Sequence, residues 1–204
     1  MTKEEFIGKI QNYRSNADNL IEGDGGYKIK RGMAHVISGY VEDLFALYLA
    51  TNVANKEIEF FVDKVTSIRF NENEKAKSFK PDVSIVNANR LSHYFDLKTN
   101  MGWNRDFVSY LEEKNTFIES LRGKSAWIRH SKDEVQKINI DENLIYQMVV
   151  VFGWNINQKQ LSDNLEIAKK YPNVKLHILY VKKKNGEYGI NEDAFNEINR
   201  TIIL

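Results

Sequence analysis

Residues 81–98 read PDVSIVNANRLSHYFDLK, two arms of alternating apolar and polar residues joined by a short polar segment. Such alternation is typical of β-strands with one buried face, and Asn tolerates the positive φ that tight turns need. The stretch therefore predicts a β-hairpin with arms at residues 82–86 and 91–98 and a turn at residues 87–90. Pro81 suits the start of the first arm, where its missing N–H removes no essential hydrogen bond.

The hairpin is expected to carry charged side chains on one face. Asp96 and Lys98 are two residues apart on a strand and therefore point the same way. If the turn is centred near Asn89, Asp82 lies opposite Asp96 with the Cβ atoms about 5 Å apart, whereas a slip of one residue would bring Val83 there instead. Two carboxylates at that distance repel unless a cation joins them, and Mg²⁺ prefers oxygen ligands. The hairpin thus predicts a Mg²⁺ site, with Mn²⁺ as a substitute.

Hydrophobic periodicity predicts the elements around the hairpin. Helices are predicted over residues 3–21, from residue 33 to about 48, and over residues 106–121, 158–170 and 192–202. Strands are predicted over residues 58–62, 65–70, 144–152 and 174–181, with polar loops at residues 71–79 and 99–105. The strand-helix-strand order from residue 144 to 181 favours a parallel pair joined by a crossover. We therefore predict a single α/β domain, residues 1–204, with a mixed central sheet flanked by helices.

Composition limits the chemistry that the chain can carry. There are no cysteines among the 204 residues, which excludes disulfides and thiolate metal sites, and the four histidines are scattered. Any metal must therefore be held mainly by oxygen. The 29 basic and 28 acidic residues give a net charge of +1, so DNA-binding residues would have to be clustered. No apolar run reaches the roughly 20 residues that cross a bilayer, so we expect a cytoplasmic protein with no membrane partner.

The motif of the hairpin resembles the signature of the PD-(D/E)xK nuclease superfamily, to which many restriction endonucleases belong. It consists of Pro81-Asp82, thirteen intervening residues and Asp96-Leu97-Lys98. The resemblance implies an αβββαβ core over about residues 31–152, with residues 153–204 as C-terminal additions. A motif this short is common in unrelated sequences, so its weight comes from its strand setting.

The resemblance also implies roles for individual residues. Asp82 and Asp96 would hold Mg²⁺, and Lys98 would orient the attacking water and stabilise developing negative charge. Family members often add a glutamate from the helix before the sheet, and Glu42 stands at the matching position. The other acid-x-Lys triplet, Glu112-Glu113-Lys114, lies in a predicted helix, where positions two apart diverge by about 200° and cannot converge on one metal.

These roles imply a magnesium-dependent DNA endonuclease. The leading hypothesis is a type II restriction endonuclease acting as a homodimer on double-stranded DNA, because cutting both strands of a symmetric site needs two active sites. One alternative is a structure-specific or repair nuclease such as a Holliday junction resolvase. Another is a nuclease-like DNA-binding module without catalysis, against which the intact Asp82, Asp96 and Lys98 argue.

Three groups of basic and polar residues are candidates for DNA contacts. They are Arg122, Lys124, Arg129 and Lys132; Lys28, Lys30 and Arg31; and Asn100, Trp103, Asn104 and Arg105. The third group directly follows the catalytic lysine candidate, and Asn and Arg can read base edges in the major groove. The alternative for every group is ordinary solvated loop charge.

Overall fold

A computed structural model describes residues 1–22, 37–53, 57–100, 106–154 and 157–202, with side chains in the first range described to residue 16. The helices are α1 (Lys3–Glu22), α2 (Ser38–Asn52), α3 (Phe107–Leu121), α4 (Gln158–Ala168) and α5 (Glu192–Ile202). The strands are β1 (Glu59–Val62), β2 (Thr66–Ile68), β3 (Lys77–Phe79), β4 (Val83–Asn87), β5 (Arg90–Asn100), β6 (Ser125–Arg129), β7 (Val135–Ile140), β8 (Tyr146–Phe152), β9 (Val174–Lys182) and β10 (Tyr188–Ile190).

Local capping explains where two of the helices begin. The side chain of Asp106 accepts a hydrogen bond from the backbone N–H of Ser109, which satisfies a free donor in the first turn of α3. Asn157 and Gln160 form a reciprocal capping box at the start of α4. The five predicted helices are all present. The predicted start of the second helix, residues 33–36, lies outside the described residues, which show α2 from Ser38 onward.

The described strands form one mixed, mostly antiparallel sheet of ten strands. Its order is β10-β9-β8-β5-β7-β6-β2-β3, and β4 pairs with both β5 and β1. β8 runs parallel to β5 and to β9, as expected for strands joined by a helical crossover. The predicted α/β class and the predicted parallel pair are thereby confirmed.

Four strands of the structure were not predicted from the sequence. The predicted polar loop at residues 71–79 ends in β3, and the basic segment after α3 contains β6, followed by the equally unpredicted β7. β10 was also not predicted. These strands are short and rich in polar residues, so they depend on partners elsewhere in the chain for their hydrogen bonds, and local periodicity does not reveal them.

Two hydrophobic cores cover the two faces of the sheet. One core joins α1, α2 and α5 to residues such as Phe95 and Leu97 of β5. The other joins α3 and α4 to residues such as Tyr94 of β5. Because successive residues of a strand point to opposite faces, Asp96 is directed towards α3. Among helices in the described ranges, none combines the length and the apolar character that a membrane crossing requires.

Candidate active site

The pairing of β4 with β5 brings the two motif aspartates together. Val83 lies opposite Phe95, and Ser84 lies opposite Tyr94. Continued by one residue, this register sets Asp82 across from Asp96, so both carboxyl groups lie on the α3 side of the sheet. The predicted facing of the two carboxylates is therefore what the strand pairing produces.

A β-bulge at Ser92 is what makes this register possible. Near the turn, Val86 pairs with Leu91, whereas one step further Ile85 pairs with His93, so Ser92 has no counterpart on β4. The Ser92 hydroxyl donates a hydrogen bond to the carbonyl of Ile85 at 3.3 Å. Without the extra residue, the pairing that starts at the turn would place Asp82 opposite Phe95 and not opposite Asp96.

The turn itself differs from the prediction in its centre. Ala88 and Asn89 have φ values of 48° and 58°, the backbone of a two-residue loop with positive φ at both positions. The centre of the turn therefore lies between these two residues, not on Asn89. The bulge compensates for this half-residue difference, which is why the predicted facing of the aspartates holds.

Asp96 is buried and surrounded by donors. Its carboxylate accepts hydrogen bonds from Lys98 Nζ at 2.6 Å, from the Tyr110 hydroxyl at 2.5 Å and from the Tyr146 hydroxyl. Burial alone would raise the pKa of Asp96, but the hydrogen bond with Asp82, the charge of Lys98 and these donors outweigh it and hold the pKa below its usual range. Asp96 is therefore the ionised member of the pair.

Asp82 is the opposite case. Its Oδ2 accepts the backbone N–H of Leu97 at 2.6 Å. Burial raises the pKa of Asp82 to about 7, and the hydrogen bond with Asp96 and the negative charge of Asp96 act in the same direction. Near neutral pH the two carboxyl groups thus share a proton, which relieves the same repulsion that a bound cation would relieve.

Lys98 lies at the open side of this pair. Its side chain is 39% exposed, and Nζ is 2.6 Å from Oδ1 of Asp96. An ammonium has three N–H donors, of which the Asp96 contact uses one. Lys98 therefore combines a held position with donors that face outward.

Glu42 lies on α2, within the electrostatic range of the site. Burial raises its pKa, as does the charge of Asp63, whereas the charges of Lys80 and Lys98 lower it. Across the described ranges, however, no three carboxylate or imidazole side chains form a group that could hold a metal ion. The structure thus brings Asp82 and Asp96 together and leaves Glu42 outside their immediate group.

Sequence reasoning missed two tyrosines of the site. Tyr110 lies on α3, and Tyr146 is the first residue of β8, paired in register with Tyr94 of β5. Burial raises the pKa of both phenols well above the usual value, so both are hydrogen-bond donors to Asp96. In the sequence, each of these tyrosines is only a hydroxyl on an otherwise apolar face, and such a hydroxyl does not by itself indicate which group it binds.

The rival triplet proves to be near the site as well. Glu112-Glu113-Lys114 lies on α3, as predicted. Lys114 Nζ is 5.2 Å from the ring centroids of both Tyr110 and Tyr146, within the range of a cation–π contact. Lys114 is therefore a second cation behind the tyrosines that hold Asp96.

The candidate DNA contacts have different surroundings. Lys28, Lys30, Arg31, Trp103, Asn104 and Arg105 lie outside the described residues, and Asn100 is the last residue of β5. Arg122 is tied to the protein, since its guanidinium donates two hydrogen bonds to the carbonyl of Leu144. Arg129 Nη1 donates to the carbonyl of Lys132 at 3.0 Å, and Lys124 Nζ lies 5.7 Å from the Phe70 ring centroid. Of this first group of candidates, Arg129 ends β6, whereas Arg122 caps α3 and Lys124 and Lys132 lie just before and after the strand.

Comparisons of the chain with protein-family models, with curated proteins and with solved structures found no match.

Proposed function

We propose that this protein is a magnesium-dependent DNA endonuclease that hydrolyses phosphodiester bonds. The observation that carries the proposal is the pairing of Asp96, buried on β5, with Asp82, half-buried just before β4, and with Lys98 beside them. The ordinary explanation for an acid-x-Lys triplet is a salt bridge on a solvated strand face, and both side chains of that salt bridge would be exposed. Asp96 instead is 9% exposed and receives three side-chain donors. Burying a carboxylate with several polar partners costs free energy, and such buried groups with shifted pKa values are typical of functional sites.

The donor set fits a hard divalent cation. Asp82 and Asp96 offer carboxylate oxygens, the ligands that Mg²⁺ prefers. Burial and the negative charge of Asp96 raise the pKa of Asp82, and a bound cation would relieve the repulsion between the two carboxylates as the shared proton does. When bound, Mg²⁺ would neutralise charge on the phosphate and lower the pKa of a water molecule. Glu42 becomes a third ligand in this proposal only if its side chain approaches the pair when the metal binds.

The protein's own side chains would do the positioning. Lys98 keeps two N–H donors that do not contact Asp96, and these can orient the attacking water and stabilise negative charge on the phosphate. Tyr110 and Tyr146 hold Oδ2 of Asp96, which leaves Oδ1 directed towards Lys98. The carboxylate is thus oriented before any ligand arrives, and catalysis by electrostatic preorganisation requires such orientation.

The order of elements supports an αβββαβ nuclease core. α2 is followed by β1, β4 and β5 as adjacent antiparallel strands, then by α3, and then by β8 parallel to β5. In such a core the first strand would be β1, because β2, within the predicted strand at residues 65–70, pairs with β3 and β6 and not with β4. In its most specific form, the proposal is a type II restriction endonuclease acting as a homodimer.

Incubation with plasmid DNA and with branched DNA, in Mg²⁺ or in EDTA, tests the proposal. We expect metal-dependent cutting by the wild-type protein and none by Asp96→Asn. Discrete plasmid fragments would identify a restriction enzyme, whereas cutting of branched DNA alone would identify a resolvase. Binding without cutting of either DNA, in Mg²⁺ and in Mn²⁺, would overturn the proposal and favour a DNA-binding module.

A further inference from the structure

A concave surface lies on strands β6 and β7, beside the segment that follows β2. We call it the Trp127 face; it consists of residues 69–72 together with Ser125, Trp127 and Arg129 of β6 and Val135, Lys137 and Asn139 of β7, and the intervening Ala126 and Ile138, whose side chains belong to the core, also border it. The cavity has a volume of about 900 Å³, within the range of pockets that hold small organic ligands. No described helix contributes a residue to its lining.

The strand alternation separates this face from the core. Ala126 and Ile128 of β6, and Ile138 of β7, are buried against α3 and its neighbours. Trp127 pairs directly with Lys137, and both point to the opposite side of the two strands. This side is partly exposed, and Trp127 belongs to neither of the two hydrophobic cores.

Among the residues that the structure describes, no aromatic ring packs against Trp127. Trp154 stacks on Phe152 with ring centroids 4.0 Å apart and also receives Arg14 over its ring. In the described part of the chain, no ring or cation occupies either face of the Trp127 indole, which is only partly buried. A partly exposed indole in a cavity is a platform on which a flat ligand can stack.

The charges around the indole are unbalanced. Arg69, Arg129 and Lys137 line the cavity, whereas Glu72 is its one acidic lining residue. No salt bridge among the described residues involves any of these three cations. The chain as a whole has 29 basic and 28 acidic residues, so this local excess of positive charge is not a consequence of composition.

We propose that the Trp127 face binds a single-stranded segment of nucleic acid. A base would stack on Trp127, and Arg69, Arg129 and Lys137 would contact the flanking phosphates. Aromatic platforms with surrounding cations recognise unstacked bases, whereas the bases of a duplex are already stacked and their faces are covered. The combination of a stacking surface and unpaired cations favours nucleic acid over an acidic peptide, which would offer charge but no ring.

This face is separate from the candidate active site. β7 pairs with β5 at Arg90 and Leu91, whereas Asp96 lies six residues further along β5, a distance of about 20 Å at the rise of a strand. The two sites also lie on opposite sides of the sheet. Binding at the Trp127 face therefore does not require the proposed cleavage reaction, and it can be measured without metal.

Fluorescence anisotropy with a labelled oligothymidylate of ten nucleotides, in EDTA, is the direct test. We expect the wild-type protein to bind this oligonucleotide, and Trp127→Ala to bind it about 5- to 150-fold more weakly, the range for loss of one stacked base. Trp127→Phe should retain most of the affinity, because a ring remains. Tyr188→Ala, which removes an exposed aromatic residue from β10, is the matched control and should bind as the wild type does.

The cations are tested by salt titration of the same complex. Lys137→Ala should weaken binding and reduce the slope of log affinity against log salt by about 0.7, as expected for one phosphate contact on a single strand. Unchanged affinity of a folded Trp127→Ala variant would overturn the proposal. So would a wild-type dimer that Trp127→Ala dissociates without changing oligonucleotide binding, since the face would then be an interface between two copies. Absence of metal-dependent cleavage by the wild-type protein, with intact oligonucleotide binding, would overturn only the nuclease proposal, so the two failures are distinguishable.

Discussion

Replacing Asp82 by Asn tests the charge conflict in the candidate site. In the folded protein the pKa of Asp82 is raised from 3.8 to about 7, chiefly by burial and by Asp96. The folded state therefore binds the proton more tightly than the unfolded state, and stability falls as the pH rises from about 4 to about 7. At about 1.4 kcal/mol for each tenfold change in proton affinity, the full loss is at most about 4 kcal/mol, because Asp82 is half-buried and solvent screens part of the effect.

Asn mimics the protonated side chain and so removes this loss. Its carbonyl oxygen can still accept the N–H of Leu97, and its amide can donate to Asp96. At pH 5 part of the loss has already occurred, because the unfolded aspartate is ionised there. The advantage of Asp82→Asn over the wild type should therefore grow by about 2 to 3 kcal/mol between pH 5 and pH 8.5.

Urea unfolding at these two pH values measures the difference. The comparison is made between proteins at each pH, because burial lowers the pKa of His93 and His177 and makes their contributions change in the opposite direction over part of this range. Asp133→Asn, at an exposed position, is the control. Adding Mg²⁺ at pH 8.5 should stabilise the wild type, by about 2.7 kcal/mol at 100 times the dissociation constant, but not Asp82→Asn.

Two results would refute this reasoning. If Asp82→Asn and the wild type showed the same change in unfolding free energy from pH 5 to pH 8.5, Asp82 would not hold a proton against Asp96. If Mg²⁺ stabilised both proteins equally, the cation would bind elsewhere. Asp82 would then not be part of a metal site.

Three further substitutions test the roles of individual side chains. Lys98→Ala should abolish cleavage while DNA binding survives, and Lys169→Ala, an exposed lysine at the end of α4, should cleave normally; undiminished turnover in Lys98→Ala would contradict its assignment. Tyr146→Phe removes a donor from buried Asp96, so urea unfolding should show a loss of about 1.5 to 3 kcal/mol and calorimetry a weaker Mg²⁺ affinity, and no change in either would exclude a positioning role. Glu42→Gln should slow cleavage less than Lys98→Ala does, and complete inactivity of a folded Glu42→Gln variant would show that Glu42 reaches the metal.

The hairpin shows which features of the site a local sequence pattern can predict. Alternation along residues 82–86 and 91–98 predicted both arms, because a strand with one buried face needs that alternation whatever its partner. The facing of Asp82 and Asp96 was predicted from a turn centred on Asn89. It arises instead from a turn half a residue earlier and a bulge at Ser92, which no feature of the local sequence indicates.

The unpredicted strands show what local patterns miss. β6 and β7 alternate between buried and exposed residues, but their exposed positions carry charges and amides, so the local pattern is not that of a strand with an apolar face. Their hydrogen bonds are made to each other, to β2 and to the start of β5. Such strands form when neighbouring strands offer unpaired backbone N–H and C=O groups. For β6 and β7 these neighbours are β2 and β5, which come together only after segments distant in the chain have paired.

Spacing within single elements is enough to predict the main helices, the central strands and a face of β5 that carries a carboxylate and an ammonium. The groups that surround that carboxylate come from distant parts of the chain and follow from the packing. Tyr110 and Tyr146 are 14 and 50 residues from Asp96 in the chain and reach it through the packing of α3 and the pairing of β8 with β5. The same packing keeps Glu42 apart from the pair, because its position depends on how α2 crosses the sheet, and spacing along the chain does not specify that crossing.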